Sequence, residues 1–482
     1  MNFNIKKANN LEGQPSVIIL SDKPTNLPVE LFTQPEIEYI TLLFDVQKKN
    51  QFEFNRLDRW IFVHLLNLEE KTPFKRAESL RKAGDKLAAS LNEQKCDSVT
   101  IIDRLTENNA AYYLLEGLAL GNYQFLKYQT KAEEKLNTLK EVSLISNVIK
   151  QESIDHLNGM VKAVWMARDL INEPVSTLTA TRLSESLSAM AHEAGIKVEV
   201  FNQKKIEALK MGGLLAVNLG SEEPATFTVM EYHPENAVNK QPLILVGKGV
   251  VYDTGGNSLK PTASMHTMKC DMAGAAVAGA TLYAIAKAKL PVHVFALIPA
   301  TDNRINSKAL VPDDIITISD GTTVEITNTD AEGRLILADG LVYAKKFNPM
   351  LVIDLATLTG SAVAAIGNVA AIAMHNGCEN YYETLSDCGF KVHERLVSFP
   401  MWDDYTEMIK SDIADIKQTG GKYAGTITAA KFLEHFTDYP WIHIDIAGPA
   451  FSETRDSYRG LGGTAFGVRL LFDFIKELSE ED

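Results

Sequence analysis

The nine residues from Thr327 to Leu335, TNTDAEGRL, place two carboxylates, a glycine and an arginine between a short β-branched run and an apolar helical pattern. Asp330 and Glu332 are two positions apart, so an extended segment would present both side chains on one face, whereas a helix would separate them. We therefore predict that both lie in a loop as cation ligands. Taken alone, the segment also fits a helix N-terminus with acidic residues in its first turn, which the helix dipole favours.

A second segment upstream supports the metal interpretation. Between Val246 and Lys260, a strand-like run breaks at the glycines around Lys248, and another breaks at Gly255-Gly256 just after Asp253. Glycines allow the backbone to approach a ligand closely. Together with Asp271 further along, the two segments form a set of oxygen and amine donors with two additional cations: Lys248, Asp253, Asp271, Asp330 and Glu332, with Lys260 and Arg334. This set is typical of a site for divalent metal ions.

These motifs resemble those of the leucyl aminopeptidases, a family of cytosolic two-metal aminopeptidases. The segment around Asp330 resembles the family signature, and the run from Lys248 to Gly256 resembles its other metal-binding segment. Three further segments resemble the family in the same order: ARDLINEP at 167–174, DLATLTG at 354–360 and WIHIDIAG at 441–448. The resemblance is strong over the C-terminal two-thirds of the chain and weak over the first third.

The resemblance implies two divalent ions. It assigns them five ligands: Lys248, Asp253, Asp271, Asp330 and Glu332. Zn²⁺ or Mn²⁺ is expected, with Mg²⁺ or Co²⁺ as alternatives in one position. About four positive charges would cancel the four carboxylates, and their field can hold Lys248 as a neutral amine. Composition alone would make Lys248 a salt-bridge partner.

The same resemblance implies two catalytic residues. Lys260 would face the oxygen that becomes the oxyanion, where a preorganised cation acts on the transition state more than on the ground state. Arg334 would hold a bicarbonate ion that serves as general base, since no free His or Glu lies in these motifs to take the proton. The residues implied to bind substrate are Lys260, Met268, Asn328, Thr357, Leu358, Gly360 and Ala447.

The implied reaction is the release of N-terminal amino acids from short peptides and amino-acid amides, with a free α-amine as an anchor. Met268 and Leu358 suit apolar side chains such as leucine or methionine, although core packing explains each pocket residue almost equally well. One alternative is a dipeptidase for Cys-Gly and similar dipeptides. Another is a hexameric scaffold or DNA-binding protein with an idle site, which the complete set of ligand and catalytic residues argues against.

Composition narrows the class of protein. The chain has 482 residues, of which 45% are hydrophobic and 23% charged, and no apolar run approaches the roughly 20 residues that span a bilayer. The N-terminus lacks the features of a secretory signal, and the 4 cysteines do not form a disulfide framework, so we expect a cytoplasmic protein with no membrane partner. A net charge of −14 disfavours nucleic-acid binding. The resemblance implies a homohexamer.

The pattern of strands and helices that must position these residues indicates an α/β protein of two domains. Residues 1–150 would form a smaller N-terminal α/β domain, to which the resemblance assigns assembly and access. Residues 151–482 would form the catalytic domain, joined by a long helix around 131–170. Near-continuous apolar strands separated by helices predict a mostly parallel sheet covered by helices. Lys248, Asp253, Asp330 and Thr357 follow strand-like runs, so one site at the carboxyl ends of the strands is expected.

Overall fold

The structure is a computed structural model that describes residues 3–11, 13, 15–66, 70–105 and 109–480. The chain forms two compact units, and the division runs between Val161 and Lys162. Residues Arg455–Gly460 belong to the first unit. Each unit is an α/β arrangement around its own main sheet, so the predicted fold class is confirmed.

The first unit alternates strands and helices. Its elements are β1 (Asn4–Lys7), β2 (Ser16–Ser21), α1 (Gln34–Gln47), β3 (Gln51–Asn55), β4 (Trp60–Leu65), α2 (Pro73–Glu93), β5 (Ser98–Asp103), α3 (Ala110–Gly121), α4 (Ala132–Lys135), β6 (Glu141–Ile145) and the first part of α5 (Gln151–Asn172). The six strands lie in the order β1-β6-β5-β2-β4-β3. All neighbours pair in parallel except β3 and β4. Strand β2 is buried on both faces, as its continuous apolar run predicts.

The second unit contains the remaining elements. They are α6 (Ala180–Ala194), β7 (Lys197–Phe201), α7 (Gln203–Ala208), α8 (Gly212–Asn218), β8 (Thr226–Tyr232), β9 (Leu243–Gly247), β10 (Gly249–Asp253), α9 (Thr262–Met265), α10 (Ala273–Lys287), β11 (Val294–Asn303), β12 (Ile315–Thr317), β13 (Thr323–Glu325), α11 (Glu332–Ala344), β14 (Leu351–Ala356), α12 (Gly360–Ile366), β15 (Ala371–Asn376), α13 (Glu379–Val392), β16 (Leu396–Ser398), α14 (Asp404–Glu407), β17 (Ile416–Lys417), α15 (Gly425–Glu434), β18 (Trp441–Asp445), β19 (Phe451–Ser452), β20 (Gly462–Gly463) and α16 (Val468–Glu480).

The main sheet of the second unit has a parallel centre. Its strands run β16-β15-β18-β14-β9-β11-β8-β7, and β10 pairs with β11 off this path. Strands β18, β14, β9 and β11 pair in parallel, whereas β15, β8 and β7 add antiparallel pairs on either side. This arrangement agrees with the mostly parallel sheet predicted from the apolar runs.

Helices cover both faces of this sheet. A Cβ on Gly247 would collide with the backbone of α10 at Gly274, 2.5 Å away, whereas a Cβ on Gly340 of α11 would lie 2.9 Å from Val246 Cγ1. Because Val246 and Gly247 are consecutive residues of β9, they face opposite sides of the sheet. Helices α10 and α11 therefore pack on opposite faces. Among the helices of the described residues, none combines the length and apolar character needed to cross a bilayer.

The helix predicted over 131–170 is wrong in its first half. Residues Ala132–Lys135 form a single turn, Glu141–Ile145 form β6, and α5 begins only at Gln151. Strand β6 pairs with β1 on one side and β5 on the other, and these ladders outweigh the helical pattern of the local sequence. The division between the units then falls inside α5, eleven residues beyond the predicted boundary at 150.

Candidate metal centre

The predicted site residues meet at one edge of the main sheet of the second unit. Lys248 follows β9 directly, Thr357 follows β14, and Asp253 is the last residue of β10. Strands β9, β10 and β14 belong to one parallel array, so their carboxyl ends lie at the same edge. Lys248 Nζ donates to the carbonyl oxygen of Thr357 at 3.0 Å, which joins two of these strand ends.

Four carboxylates and two lysines converge there. Lys248 Nζ lies 2.7 Å from Asp271 Oδ1 and 2.9 Å from Glu332 Oε1. Lys260 Nζ lies 2.9 Å from Asp253 Oδ2 and 2.6 Å from Asp330 Oδ1. One donor atom from each of Asp253, Asp330 and Glu332 falls within 4.8 Å of the others. We call Asp253, Asp271, Asp330 and Glu332 the acidic cluster.

The loop prediction for Asp330 and Glu332 holds for only one of them. Asp330 lies in a turn in which Asn328 Oδ1 accepts its backbone N–H at 2.9 Å. Glu332, predicted in the loop, is instead the first residue of α11. The apolar helical pattern extends back to this position, and an acidic side chain is favourable at a helix N-terminus. The two carboxylates therefore converge through a turn at the start of a helix, and no extended segment is needed.

Two glycines keep space around the lysines and carboxylates. A Cβ on Gly333 would lie 2.5 Å from Cε of Lys248, so a larger residue at this position of α11 would displace the lysine side chain. Gly255 has a φ of +85°, and a Cβ there would lie 2.8 Å from Asp330 Oδ1. The approach at Gly255 is the kind that the Gly255-Gly256 pair of the sequence indicates.

Asn303 is a site residue that the sequence analysis missed. Its Nδ2 donates to Asp253 Oδ1 at 2.8 Å and to the carbonyl of Thr329 at 3.0 Å, so it links the two motifs. Asp253 Oδ1 also accepts the backbone N–H of Gly255 at 2.8 Å. Its place at the end of β11 was the signal that could have found it, since functional residues gather at the carboxyl ends of parallel strands.

Gln418 is the second residue missed by the sequence analysis. Its buried side chain accepts the backbone N–H groups of Thr327 and Asn328 and donates to the carbonyl of Ala331 at 2.9 Å. The main-chain carbonyl oxygen of Gln418 accepts a hydrogen bond from Arg334 Nη1 at 2.8 Å. Gln418 thus fixes both the loop before α11 and the arginine. Gln418 lies outside every motif around the site, so the sequence contained no signal for this role.

The predicted substrate-binding segments are held together by a buried carboxylate. Asp445 Oδ1 accepts the backbone N–H groups of Leu358 and Ala447, each at 3.1 Å, and its Oδ2 accepts the Thr359 hydroxyl at 2.7 Å. Thr357 donates its hydroxyl to Asp271 Oδ1 at 2.8 Å, which connects these segments to the acidic cluster.

The other predicted substrate-binding residues lie on different elements. Met268, half-buried, begins a short 3₁₀ helix that leads directly to Asp271. Gly360 is exposed at the start of α12, and a Cβ there would meet nothing within 4 Å. Asn328 uses its side chain to cap the turn at Asp330. The geometry therefore brings Thr357, Leu358 and Ala447 together and gives Asn328 a local contact.

Burial and repulsion between the carboxylates raise the pKa values of Glu332 and Asp271 in the acidic cluster. Burial, reinforced by Asp253, raises the pKa of Glu332 to about 8. Burial likewise raises the pKa of Asp271 to about 6, although Lys248 opposes it. For Lys248, burial disfavours the charged form, but Asp271, Glu332 and Asp253 outweigh it and raise its pKa. Without a bound cation, burial and the neighbouring carboxylates therefore disfavour the charged forms of Glu332 and Asp271.

These groups fit divalent cations. Asp271 Oδ2 and Glu332 Oε2 are buried and have no hydrogen-bond partner among the described residues. A buried carboxylate oxygen without a partner costs free energy, and a cation bound there removes that cost. Carboxylate oxygens and a lysine amine form a donor set for ions such as Mn²⁺, Zn²⁺ or Mg²⁺. The site therefore has the charge, the free donor atoms and the burial that such ions require.

Arg334 lies beside this cluster with part of its guanidinium free. Burial lowers its pKa to about 10, although Glu332 opposes the shift, so the side chain stays charged at neutral pH. Its Nε has no hydrogen-bond partner among the described residues. A buried, fixed cation with a free donor is suited to holding an anion.

Comparisons with known proteins show the family of this chain. A family model described as the cytosol aminopeptidase family, catalytic domain, matches residues 165–472. A curated relative, the probable cytosol aminopeptidase of Chlorobaculum tepidum, is 44% identical over 426 residues, which cover 83% of this chain and 84% of that protein.

Two solved structures are similar over nearly the whole chain. The bottromycin maturation enzyme BotP in complex with Mn is 28% identical with a TM-score of 0.85, and the match covers 97% of this chain and 100% of BotP. A mutant of tomato leucine aminopeptidase is 26% identical with a TM-score of 0.85, and the match covers 98% of this chain and 96% of that one. The family resemblance predicted from the motifs is thereby confirmed.

Proposed function

Because this chain belongs to the cytosol aminopeptidase family and is therefore a metal-dependent aminopeptidase, we propose that it releases N-terminal residues from short peptides and amino-acid amides at the acidic cluster. The observation that carries this assignment of the site is an excess of buried negative charge. Four carboxylates face two lysines there, and two carboxylate oxygens lack partners among the described residues. A purely structural cluster would pair those atoms.

Lys248, Asp253, Asp271, Asp330 and Glu332 would hold two divalent ions. Zn²⁺ or Mn²⁺ is proposed, with Mg²⁺ or Co²⁺ as alternatives in one position; the similar enzyme BotP is described in complex with Mn. When bound, such ions lower the pKa of a water and polarise a carbonyl. Asn303 and Gly255 fix Asp253 through its Oδ1, so its Oδ2 can turn from Lys260 toward a cation.

Lys260 would stabilise the negative charge that develops on the scissile carbonyl oxygen. Its ammonium lies between Asp253 and Asp330, at 2.9 Å and 2.6 Å, and cations at those carboxylates would release it toward the substrate. Burial disfavours its charge, but Asp253 and Asp330 raise its pKa, so it remains a cation. A fixed positive charge in a buried site stabilises an oxyanion without reorganisation of solvent.

Arg334 would hold a bicarbonate ion as general base. The free Nε and the Gln418 carbonyl that fixes Nη1 support this assignment, since together they leave an oriented donor for an anion. When bound, such an anion would supply general-base chemistry at the position that Arg334 fixes. Gln418 would act as a positioning residue in this arrangement.

The substrate would lie against Met268, Asn328, Thr357, Leu358, Gly360 and Ala447. The half-buried side chains of Met268 and Leu358 support a preference for leucine, methionine and other apolar residues. Asp445 would keep the two backbone segments of this pocket at a fixed spacing, because it binds both Leu358 and Ala447.

The family also suggests how the protein is organised. We propose a cytoplasmic homohexamer in which the first unit contributes to assembly and to the access of peptides. A chain of 53.2 kDa should then migrate near six times that mass in size-exclusion chromatography. Elution as a monomer at micromolar concentration would contradict the hexamer without affecting the proposed reaction.

Hydrolysis of leucine p-nitroanilide tests the reaction. The protein should be stripped with a chelator, reloaded with Mn²⁺ or Zn²⁺, and assayed on this substrate and its N-acetylated form. We expect cleavage of the free-amine substrate only, and only after metal is restored, because the α-amine anchors the substrate. Cleavage of both forms, or cleavage that survives chelation, would contradict the proposal. Cleavage of Cys-Gly alone would replace it with a dipeptidase.

A further inference from the structure

A second group of possible metal ligands lies at the opposite end of the main sheet of the second unit. It consists of Glu231, His233 and His293, which we call the histidine cluster. One donor atom of each lies within 4.8 Å of the other two. The mechanism proposed above uses none of the three.

The pairing of β8 with β11 brings these residues together. Val294 pairs with Tyr232 in antiparallel register, so His293 and His233 stand opposite each other just beyond the paired residues. Glu231 and His233 are two positions apart and therefore point to the same face. Glu231 is then the diagonal neighbour of His293, and the three side chains share one face of the sheet.

The side chains are already in mutual contact. His293 Nε2 lies 3.2 Å from Glu231 Oε1, and the rings of His233 and His293 stack with centroids 3.8 Å apart and planes 11° apart. His293 and Glu231 are partly buried, whereas His233 is exposed. The exposed ring of His233 can tilt to direct a nitrogen at an ion, and solvent can reach the cluster.

The backbone of His293 is held in place independently of its ring. Asn239 accepts the His293 N–H through Oδ1 at 2.7 Å and donates from Nδ2 to the His293 carbonyl at 2.9 Å. The Leu243 N–H also donates to this carbonyl at 3.1 Å. A ligand whose backbone is fixed in this way needs little reorganisation to bind an ion.

From this geometry we propose that the histidine cluster binds one Zn²⁺ ion, with Glu231, His233 and His293 as its protein ligands. Two imidazoles and one carboxylate are the three-ligand set of many zinc sites, in which water completes the tetrahedron. Imidazole ligands favour Zn²⁺ over Mn²⁺ and Mg²⁺. The bound ion would replace the direct contact between His293 Nε2 and Glu231 Oε1.

This site is separate from the acidic cluster. His293 precedes β11, whereas Asn303, which contacts Asp253, is the last residue of that strand. Ten residues of strand correspond to about 30 Å. The donor sets also differ, since the histidine cluster is rich in nitrogen and the acidic cluster in oxygen.

Zinc counting on the full-length protein tests the proposal. The stripped wild type, His233→Gln and His293→Gln should each be dialysed to equilibrium against the same buffered Zn²⁺ concentrations, and bound zinc should be measured by elemental analysis. We expect the wild type to bind one more Zn²⁺ per chain than either variant. Hydrolysis of leucine p-nitroanilide by the Mn²⁺-loaded variants should equal that of the wild type, since neither variant alters the acidic cluster.

His192→Gln is the matched control, because His192 is an exposed histidine of the same unit at the end of α6. It should retain the wild-type zinc count. Equal zinc binding by the wild type and both cluster variants would overturn the proposal. An equal loss in His192→Gln would also overturn it, because the zinc would then be bound adventitiously by surface histidines. His233→Gln keeps the test valid should His293→Gln perturb folding, since His233 is exposed.

Discussion

The two units of this protein bury charged groups in different ways. In the first unit, Arg81 and Glu116 form an ion pair whose side chains are 1% and 3% exposed, and the Tyr458 hydroxyl donates to Glu78 Oε2 at 2.7 Å. In the second unit, the acidic cluster gathers four carboxylates around two lysines, and Asp271 Oδ2 and Glu332 Oε2 have no hydrogen-bond partner among the described residues. The first arrangement pairs opposite charges, whereas the second leaves carboxylate oxygens available.

This difference separates structural from functional burial of charge. Burying two charges costs desolvation free energy, and their attraction offsets that cost only when opposite charges lie close together. An excess of one sign is costly for the protein alone and is compensated when a ligand of opposite charge binds. Charge imbalance, more than burial or the number of charged residues, therefore supports the acidic cluster as the proposed metal site. Substitutions in the two clusters should consequently change different properties.

The largest effect is expected for Glu332→Gln in the acidic cluster. The substitution keeps the shape of the side chain but removes a charge that would hold a cation, so kcat/KM for leucine p-nitroanilide should fall at least about 10³-fold, or about 4 kcal/mol. The thermal unfolding midpoint of the metal-free protein should not fall, because burial already favours the neutral form of Glu332, which the neutral amide replaces. The exposed Glu222→Gln is the control and should match the wild type. Near-wild-type turnover by Glu332→Gln would refute the site.

The next largest effect is expected for Arg81→Met in the first unit, and it should change stability instead of catalysis. Removing the arginine deprives the buried Glu116 carboxylate of this ion pair, which costs about 3–5 kcal/mol of unfolding free energy. Calorimetry should show a lower unfolding temperature, while kcat at 25 °C stays close to that of the wild type. Arg182→Met breaks an exposed pair with Glu185 and should change stability by less than about 1 kcal/mol. A stable but inactive Arg81→Met would contradict the distinction drawn between the clusters.

The smallest effect concerns His64, which the first unit buries as a neutral group. Burial lowers its pKa to about 4, so the unfolded chain takes up the proton first as pH falls below 6.5. The stability contributed by the neutral ring is complete above pH 6.5 and is lost as pH falls toward 4. Between pH 6.5 and pH 5, the wild type should lose about 2 kcal/mol more unfolding free energy than His64→Leu.

Denaturant unfolding at both pH values measures this difference. His192→Leu, which replaces a histidine on the protein surface, is the matched control and should lose stability in parallel with the wild type. If the unfolding free energies of the wild type and of His64→Leu depend on pH in the same way, the first unit tolerates an unpaired buried charge. That result would weaken the contrast with the acidic cluster.

Most of the acidic cluster could be predicted from the sequence because its members lie in two short motifs. Lys248 and Asp253 follow strand-like runs, and such runs reliably form neighbouring strands when they are buried on both faces. The Gly255-Gly256 pair marked a place where the backbone approaches another group, whereas the close approach of Gly333 to Lys248 was seen only in the structure. The α/β class and most strands followed from the same local patterns of apolar residues.

Residues that act through long-range contacts could not be predicted. Asn303 and Gln418 lie 50 and 84 positions from the residues they hold, Asp253 and Arg334, and neither belongs to a recognisable motif. The first half of the predicted 131–170 helix was wrong for a related reason. Pairing of β6 with β1 and β5, which are distant in sequence, outweighed the local helical pattern.

The sequence by itself determined the inventory of the site: which carboxylates, lysines and arginine are available, and that they follow strands and glycine turns. Only the tertiary structure decided that Glu332 starts α11, that Gln418 binds Arg334, and that His233 and His293 stack at the far edge of the sheet. The physical reason is that local propensity acts over a few residues. Strand order and register, in contrast, bring together residues that the chain separates by more than a hundred positions, as the pairing of Asn4 with Glu141 shows.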